Sequence, residues 1–174
     1  MDKQYASAFF DIVKEDKTLN DAKESFDVFV DVLKANDDFW SVLNSPKIKL
    51  EAKKAIIKDS FKSCLEDFIL FLYVVLDNGR IDKIFEIYKS FINLYNEENK
   101  IKVVEVLSSS EMTDEELKKL NNSLMKCYEG YKVIINNKVD TKIIGGYHIL
   151  VNGTSVDLSV KRKIDDLLKH ILTN

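Results

Sequence analysis

Residues that break helices are scarce in this sequence. Its one proline is Pro46, and none of its five glycines precedes Gly79, so the first half has few places where a helix must stop. Long apolar runs are missing too. The longest, Phe68 to Leu76, is closed off by Asp67 and Asp77, whereas a membrane-spanning helix needs about 20 residues. No sign of charge dominates: 26 Lys and Arg face 29 Asp and Glu, a formal charge of -3. Residues 1–100 carry 15 basic and 19 acidic groups and residues 101–174 carry 11 and 10. Neither half has the basic field that nucleic acid or anionic lipid requires. The opening Met1-Asp2-Lys3-Gln4-Tyr5 has no apolar h-region and no Arg- and Ser-rich stretch, which predicts neither a secretory leader nor a transit peptide.

Groups that do chemistry are equally sparse. Cys64 and Cys127 lie one in each half without C-x-x-C spacing, and read as reduced, partly buried thiols. His148 falls on an expected strand, and His170 in the last turn of an expected helix, where a cation is favoured. Neither has Cys, Asp or Glu at ligand spacing. Gly145-Gly146 is the one glycine pair, but no G-K-S/T follows it, so it reads as relief of crowding before a strand rather than a phosphate cradle. No G-x-S-x-G elbow occurs. The expectation is a protein without catalytic residues, metal or cofactor.

What the chain has is amphipathic periodicity, with 45% hydrophobic residues to build cores. Apolar positions at helical spacing predict helices over Tyr5–Val13 and Leu19–Leu33, a short one at Phe39–Leu43 ended by Asn44-Ser45-Pro46, and another carrying Leu50, Ile56, Ile57, Phe61 and Leu65. The run Phe68–Leu76 stops at Asp77-Asn78-Gly79-Arg80, and a long stripe follows from Ile81 to Tyr95. From residue 101 the period changes. Ile101–Leu107 reads as a strand, and Thr113 with Glu116 as a capping box opening a helix through Tyr128. Tyr131–Asn136 and Tyr147–Val151 read as strands, with Asn152-Gly153 a hairpin turn. A last helix capped by Asp157 or Ser159 would carry Val160, Ile164, Leu167, Leu168 and Ile171. The expected fold class is α + α/β: an N-terminal helical bundle over residues 1–99, followed by a small C-terminal α/β domain over 100–174.

Two helices carry more apolar surface than one core uses. On the first, Tyr5, Ala6, Ala8, Phe9, Phe10, Ile12 and Val13 cover an arc of roughly 200°, against the ~100° stripe a bundle helix needs. Phe10 and Ala6 read as surplus. Phe68–Leu76 is apolar on every side, which demands complete burial or a second packing partner.

Five segments in order then carry a resemblance: Tyr5-Ala6-Ser7-Ala8-Phe9-Phe10, Asn44-Ser45-Pro46-Lys47-Ile48, Asp77-Asn78-Gly79-Arg80-Ile81, Val139-Asp140-Thr141-Lys142-Ile143-Ile144-Gly145-Gly146 and Val156-Asp157-Leu158-Ser159-Val160. In order and spacing they resemble the delta subunit of F-type ATP synthase, the mitochondrial oligomycin-sensitivity-conferring protein, nearly from end to end. Leu158 departs from the family's usual glycine and Lys161 from its usual arginine. The resemblance implies an N-terminal six-helix bundle followed by a smaller C-terminal α/β domain, in a non-catalytic stator subunit, one copy per complex, tying the catalytic head to the peripheral stalk. It implies a groove for the N-terminal helix of an alpha subunit between the first and fifth helices, here Tyr5, Ala6, Ala8, Phe9, Phe10 and Val13 with Phe68, Phe71, Leu72 and Val75. It also implies contact of the b subunits with the C-terminal domain, for which Ile144, Gly145, Gly146, Asp157, Ser159, Ile164 and Leu168 are candidates. Without a transit peptide, the expected location is the cytoplasmic face of a bacterial plasma membrane, held peripherally without insertion. A helical adaptor unrelated to ATP synthase, a nucleic-acid-binding module and a small enzyme are the competing readings.

Overall fold

A computed structural model describes residues 2–108, 111–139, 147–151, 154–155 and 166. The chain divides into two compact units, Met1–Tyr95 and Asn96–Asn174.

The first unit consists of helices. They are α1 (Asp2–Glu15), α2 (Leu19–Ala35), α3 (Asp37–Asn44), α4 (Leu50–Ser60), α5 (Glu66–Asp77) and α6 (Ile84–Glu98), the last preceded by a 3-10 turn at Ile81–Lys83. In α2 the buried Ala22, Ser25, Phe26, Phe29, Val30 and Leu33 fall on one stripe, the 3.6-residue period that closes an amphipathic helix onto a core. Asn36 caps α3 by accepting a hydrogen bond from the Phe39 amide at 3.0 Å. That helix stops at Ser45, which is extended (φ -66°, ψ 124°) because the ring of Pro46 crowds the helical conformation of its predecessor. The expected helix through Phe61 and Leu65 is shorter. The α4 helix ends at Ser60, and the Leu65 amide is taken up instead by Ser25 Oγ of α2 at 2.9 Å. A side-chain acceptor from another helix outcompetes one more helical turn there.

The α5 helix closes at Gly79 (φ +63°), whose amide donates to the Leu76 carbonyl while Arg80 donates to Val75, both at 2.9 Å. This pair of bonds satisfies the last carbonyls and requires a left-handed residue, which glycine adopts without strain. The end of α1 makes the same pattern, Lys17 to Lys14 and Thr18 to Val13, with Lys17 at φ +60° in the glycine position.

Phenylalanines fill the centre of this unit. Phe9 stacks on Phe71 with centroids 4.4 Å apart and lies 5.3 Å from Phe91, while Phe26 lies 5.0 Å from Phe68. The last two separations lie within the 4.5–7 Å range of attractive ring pairs and the stacked pair lies just below it. A polar seam joins α2 to α6. The Tyr88 hydroxyl donates to Asp27 Oδ1 at 2.6 Å and the Tyr95 hydroxyl to Asn20 Oδ1 at 2.8 Å. Burial, then the Asp27 carboxylate, push the Tyr88 phenol well above its usual range.

The second unit is β1 (Ile101–Ser108), α7 (Asp114–Cys127), β2 (Lys132–Val139), β3 (Tyr147–Val151) and β4 (Thr154–Ser155). Its sheet has the order β2-β1-β3-β4. Strands β1 and β2 are parallel, Ile101 opposite Lys132 through Ser108 opposite Val139, and α7 supplies the crossover this requires. The β3 strand runs antiparallel to β1, with Val104 opposite Val151, and β4 antiparallel to β3. Thr113 Oγ1 accepts from the Glu116 amide, and Glu116 Oε2 accepts from the Thr113 amide at 2.7 Å, the reciprocal pair foreseen from the sequence. Leu120 and Leu124 of α7 are buried with Val104, Val106, Met112 and Ile149. The β2 strand is longer than expected, reaching Val139, because its backbone follows β1 over eight residues. The Asn152-Gly153 turn and the last helix, apart from helical and exposed Asp166, lie outside the described residues.

Candidate functional site

Among the described residues no group of three or more His, Cys, Asp or Glu side chains could hold a metal ion, and no helix is long and apolar enough to cross a membrane. Both cysteines are free and half-buried, and burial pushes the Cys64 thiol up.

The α1 and α5 helices lie side by side, joined by the Phe9–Phe71 stack and by Phe9 against Phe68 at 5.9 Å. Of the residues singled out on α1, Ala6, Phe9, Phe10 and Val13 are buried, Tyr5 is half-buried and Ala8 is exposed. On α5, Phe68, Phe71, Leu72 and Val75 are all buried. The surplus of apolar surface is real but lies at the other edge of the arc. Phe10, 7% exposed, meets Phe91 of α6 edge-on at 6.2 Å, and Ala6 is enclosed, so neither is spare. What faces outward is Ala8 and Ile12, the latter 52% exposed, one turn apart on α1. On α5 it is Leu70 and Val74, 52% and 50% exposed and also one turn apart. A helical wheel fixes the width of an apolar arc but not which of its edges meets the core. The position of α6 against α1 decides that, and it is not written in α1.

Ile12, Leu70 and Val74 are thus the outward residues that the sequence did not isolate. Their one signal is spacing, since each pair is separated by four residues on a face where a single core needs no apolar side chain. The candidates Ile144, Gly145, Gly146, Asp157, Ser159, Ile164 and Leu168 lie outside the described residues.

Comparisons with known proteins agree with one another. The family described as ATP synthase delta (OSCP) subunit matches residues 1–171. A protein named ATP synthase subunit delta from Lachnoclostridium phytofermentans is 31% identical over 170 residues, 97% of this chain and 93% of that one. One of the same name from Natranaerobius thermophilus is 28% identical over 169 residues, 97% and 94% respectively. A chain of the Toxoplasma gondii mitochondrial ATP synthase hexamer superimposes with a TM-score of 0.78 at 18% identity, over 99% of this chain and 97% of that one. The fold is therefore shared along the whole length. With a family pattern covering residues 1–171, the chain belongs to the ATP synthase delta (OSCP) subunit family.

Proposed function

We propose that this chain is the non-catalytic connector that ties the catalytic head of an F-type ATP synthase to its peripheral stalk. A rotor turning inside the head exerts torque, and unless the head is held, ion flow spins the head instead of driving ATP formation. The part that holds it needs no reactive group, only contacts that outlast many turnovers and so dissociate slowly. The observation that carries the reading is that exposed apolar residues one turn apart stand on both α1 (Ala8, Ile12) and α5 (Leu70, Val74), two helices held together by the buried Phe9–Phe71 stack. Apolar ridges on two adjacent helices suit an amphipathic helix laid between them.

In this reading the six helices α1–α6 form one bundle that grips the N-terminal helix of an alpha subunit. The C-terminal α/β domain, from about residue 100, takes the b subunits, with Ile144 to Gly146 and the last helix at or near that contact. One copy serves each complex, held peripherally at the cytoplasmic face of a bacterial plasma membrane. The balanced charge of both halves and a sequence without nucleophile or metal-ligand motifs favour this connector over an enzyme or a nucleic-acid module.

The test is titration of the chain with a peptide of the alpha-subunit N-terminal helix, read by calorimetry. Ile12→Glu places a charge on the outer ridge without touching the core. An interface anchor contributes ~2 kcal/mol or more, so affinity should fall about 30-fold or more with the circular dichroism spectrum unchanged. Unaltered affinity in both Ile12→Glu and Val74→Glu would remove the alpha helix from this groove.

A further inference from the structure

The other flank of α5, where it faces the end of α4, is hollow. A recess of about 340 Å³ opens there, with buried Phe61 and half-buried Ile69 and Tyr73 in its wall and Leu70 on its crest. The ring of Tyr73 is held in place from behind. Its hydroxyl donates to the Lys54 carbonyl at 3.4 Å, and the Lys54 ammonium, paired with Asp77, lies 5.5 Å over the ring. Lys58 and Lys62, one turn apart and both exposed, form the rim. Lys62 reaches Asp59 at 3.1 Å, but both side chains are more than 70% exposed, and such pairs hold weakly enough to be exchanged for a partner's carboxylate. Glu66, at the start of α5, also lines the recess.

The local charge runs against that of the whole chain. Residues 47–62 contain Lys47, Lys49, Lys53, Lys54, Lys58 and Lys62 against Glu51 and Asp59, in a protein whose formal charge is -3. A preformed apolar trough with a positive rim selects for shape and sign together. We propose that this α4–α5 recess is a second docking groove, and that its occupant is an amphipathic helix of a partner subunit, with acidic residues beside its apolar stripe lying against Lys58 and Lys62. Two turns of α5, from Glu66 to Tyr73, line it lengthwise, the span over which such a helix presents an i, i+3 or i+4 pair of apolar side chains.

This proposal rests on the chain working within an ATP synthase, and its test separates the two. In the purified intact complex, a carbodiimide joins lysines to carboxylates already in contact. Lys58 and Lys62 should couple to Asp or Glu residues of one helical segment of another subunit, and those links should vanish in the Lys58→Glu, Lys62→Glu double variant. Acetylation of both lysines by acetic anhydride should also slow by about tenfold or more between the free chain and the complex, as burial beneath a partner requires. A photoreactive residue placed at Ala8 reports on the α1–α5 groove in the same sample. If Ala8 captures the alpha subunit while Lys58 and Lys62 couple only within their own chain and acetylate equally fast in both states, the recess is bare and this proposal alone falls. If no residue on either flank of α5 couples to another subunit, the connector reading falls with it.

Discussion

Lys17 shows how far a single position can depart from its surroundings. It occupies the left-handed site that ends α1, at φ +60°, where Gly79 performs the same task for α5 without strain. A side chain there costs about 1–2 kcal/mol, part of which a glycine returns as extra freedom in the unfolded chain. Lys17→Gly should therefore stabilise the first unit by about 0.5–1 kcal/mol, read as a rise of a few degrees in the thermal midpoint. Phe10 teaches the opposite lesson. It reads from the sequence as a surface anchor, but it packs against Phe91, so Phe10→Asp would bury an unpaired charge and lower stability before binding could be measured. Tyr88 brings pH into the account. Its phenol titrates above the ordinary value of about 10 because burial and Asp27 disfavour the phenolate. A group raised on folding contributes stability that is complete below its unfolded pKa and is lost as pH climbs through the folded one. Urea midpoints should thus decline above pH ~10, and Tyr88→Phe should lower the neutral midpoint while flattening that alkaline decline. If wild type and variant declined in parallel, the Tyr88–Asp27 bond would not be the cause. The aromatic spacing behind this core was legible in the sequence, whereas the Asp27 partner, 61 residues away, was not.

Among the elements, the helix ends were read most securely, because their signals are local. Pro46 ends α3, Gly79 ends α5, and Thr113 with Glu116 opens α7, each through bonds within a few residues. Replacing Thr113 by alanine removes one half of that reciprocal pair and should cost about 1 kcal/mol, measured by denaturant titration, with Thr113→Ser largely restoring it. The failures share a cause. The expected run of helix through Leu65 is cut short by Ser25, 40 positions earlier, and the outward edge of α1 is decided by α6. The proposed groove had one sign in the sequence, an excess of apolar surface on the first and fifth helices. The outward residues Ile12, Leu70 and Val74 had none, since they stand out only once the buried side of each helix is known. The same logic makes Ile12→Glu and Val74→Glu useful as a pair. Each should weaken the alpha-subunit peptide alone by about 30-fold, and a double-mutant cycle should show coupling if both ridges touch one helix.

At the scale of the whole molecule, the proposed division of labour has a direct test. A fragment of residues 1–99 retains α1–α6 and their phenylalanine core, so it should fold alone, bind the isolated head and compete with the full chain for it. It should not restore ATP-driven proton pumping to vesicles lacking the native subunit, because it fills the groove without carrying load. Full pumping by the fragment would place the stalk contact in the first unit. The change of period near residue 100 was visible in the sequence, and the two compact units meet within the last turns of α6, between Tyr95 and Asn96. The sheet of the second unit has one more consequence, for solubility rather than torque. Among the described residues β2 is bonded to β1 on one side only, and an eight-residue edge bearing exposed Ile134 is a template on which another chain could add a strand. Lys132 and Lys138 stand near its two ends with Asn136 and Asn137 between them, and stacking identical copies in register would bring like charges together at each step. The strand thus carries its own deterrent to fibre growth while the subunit waits, newly made, for a place in its complex.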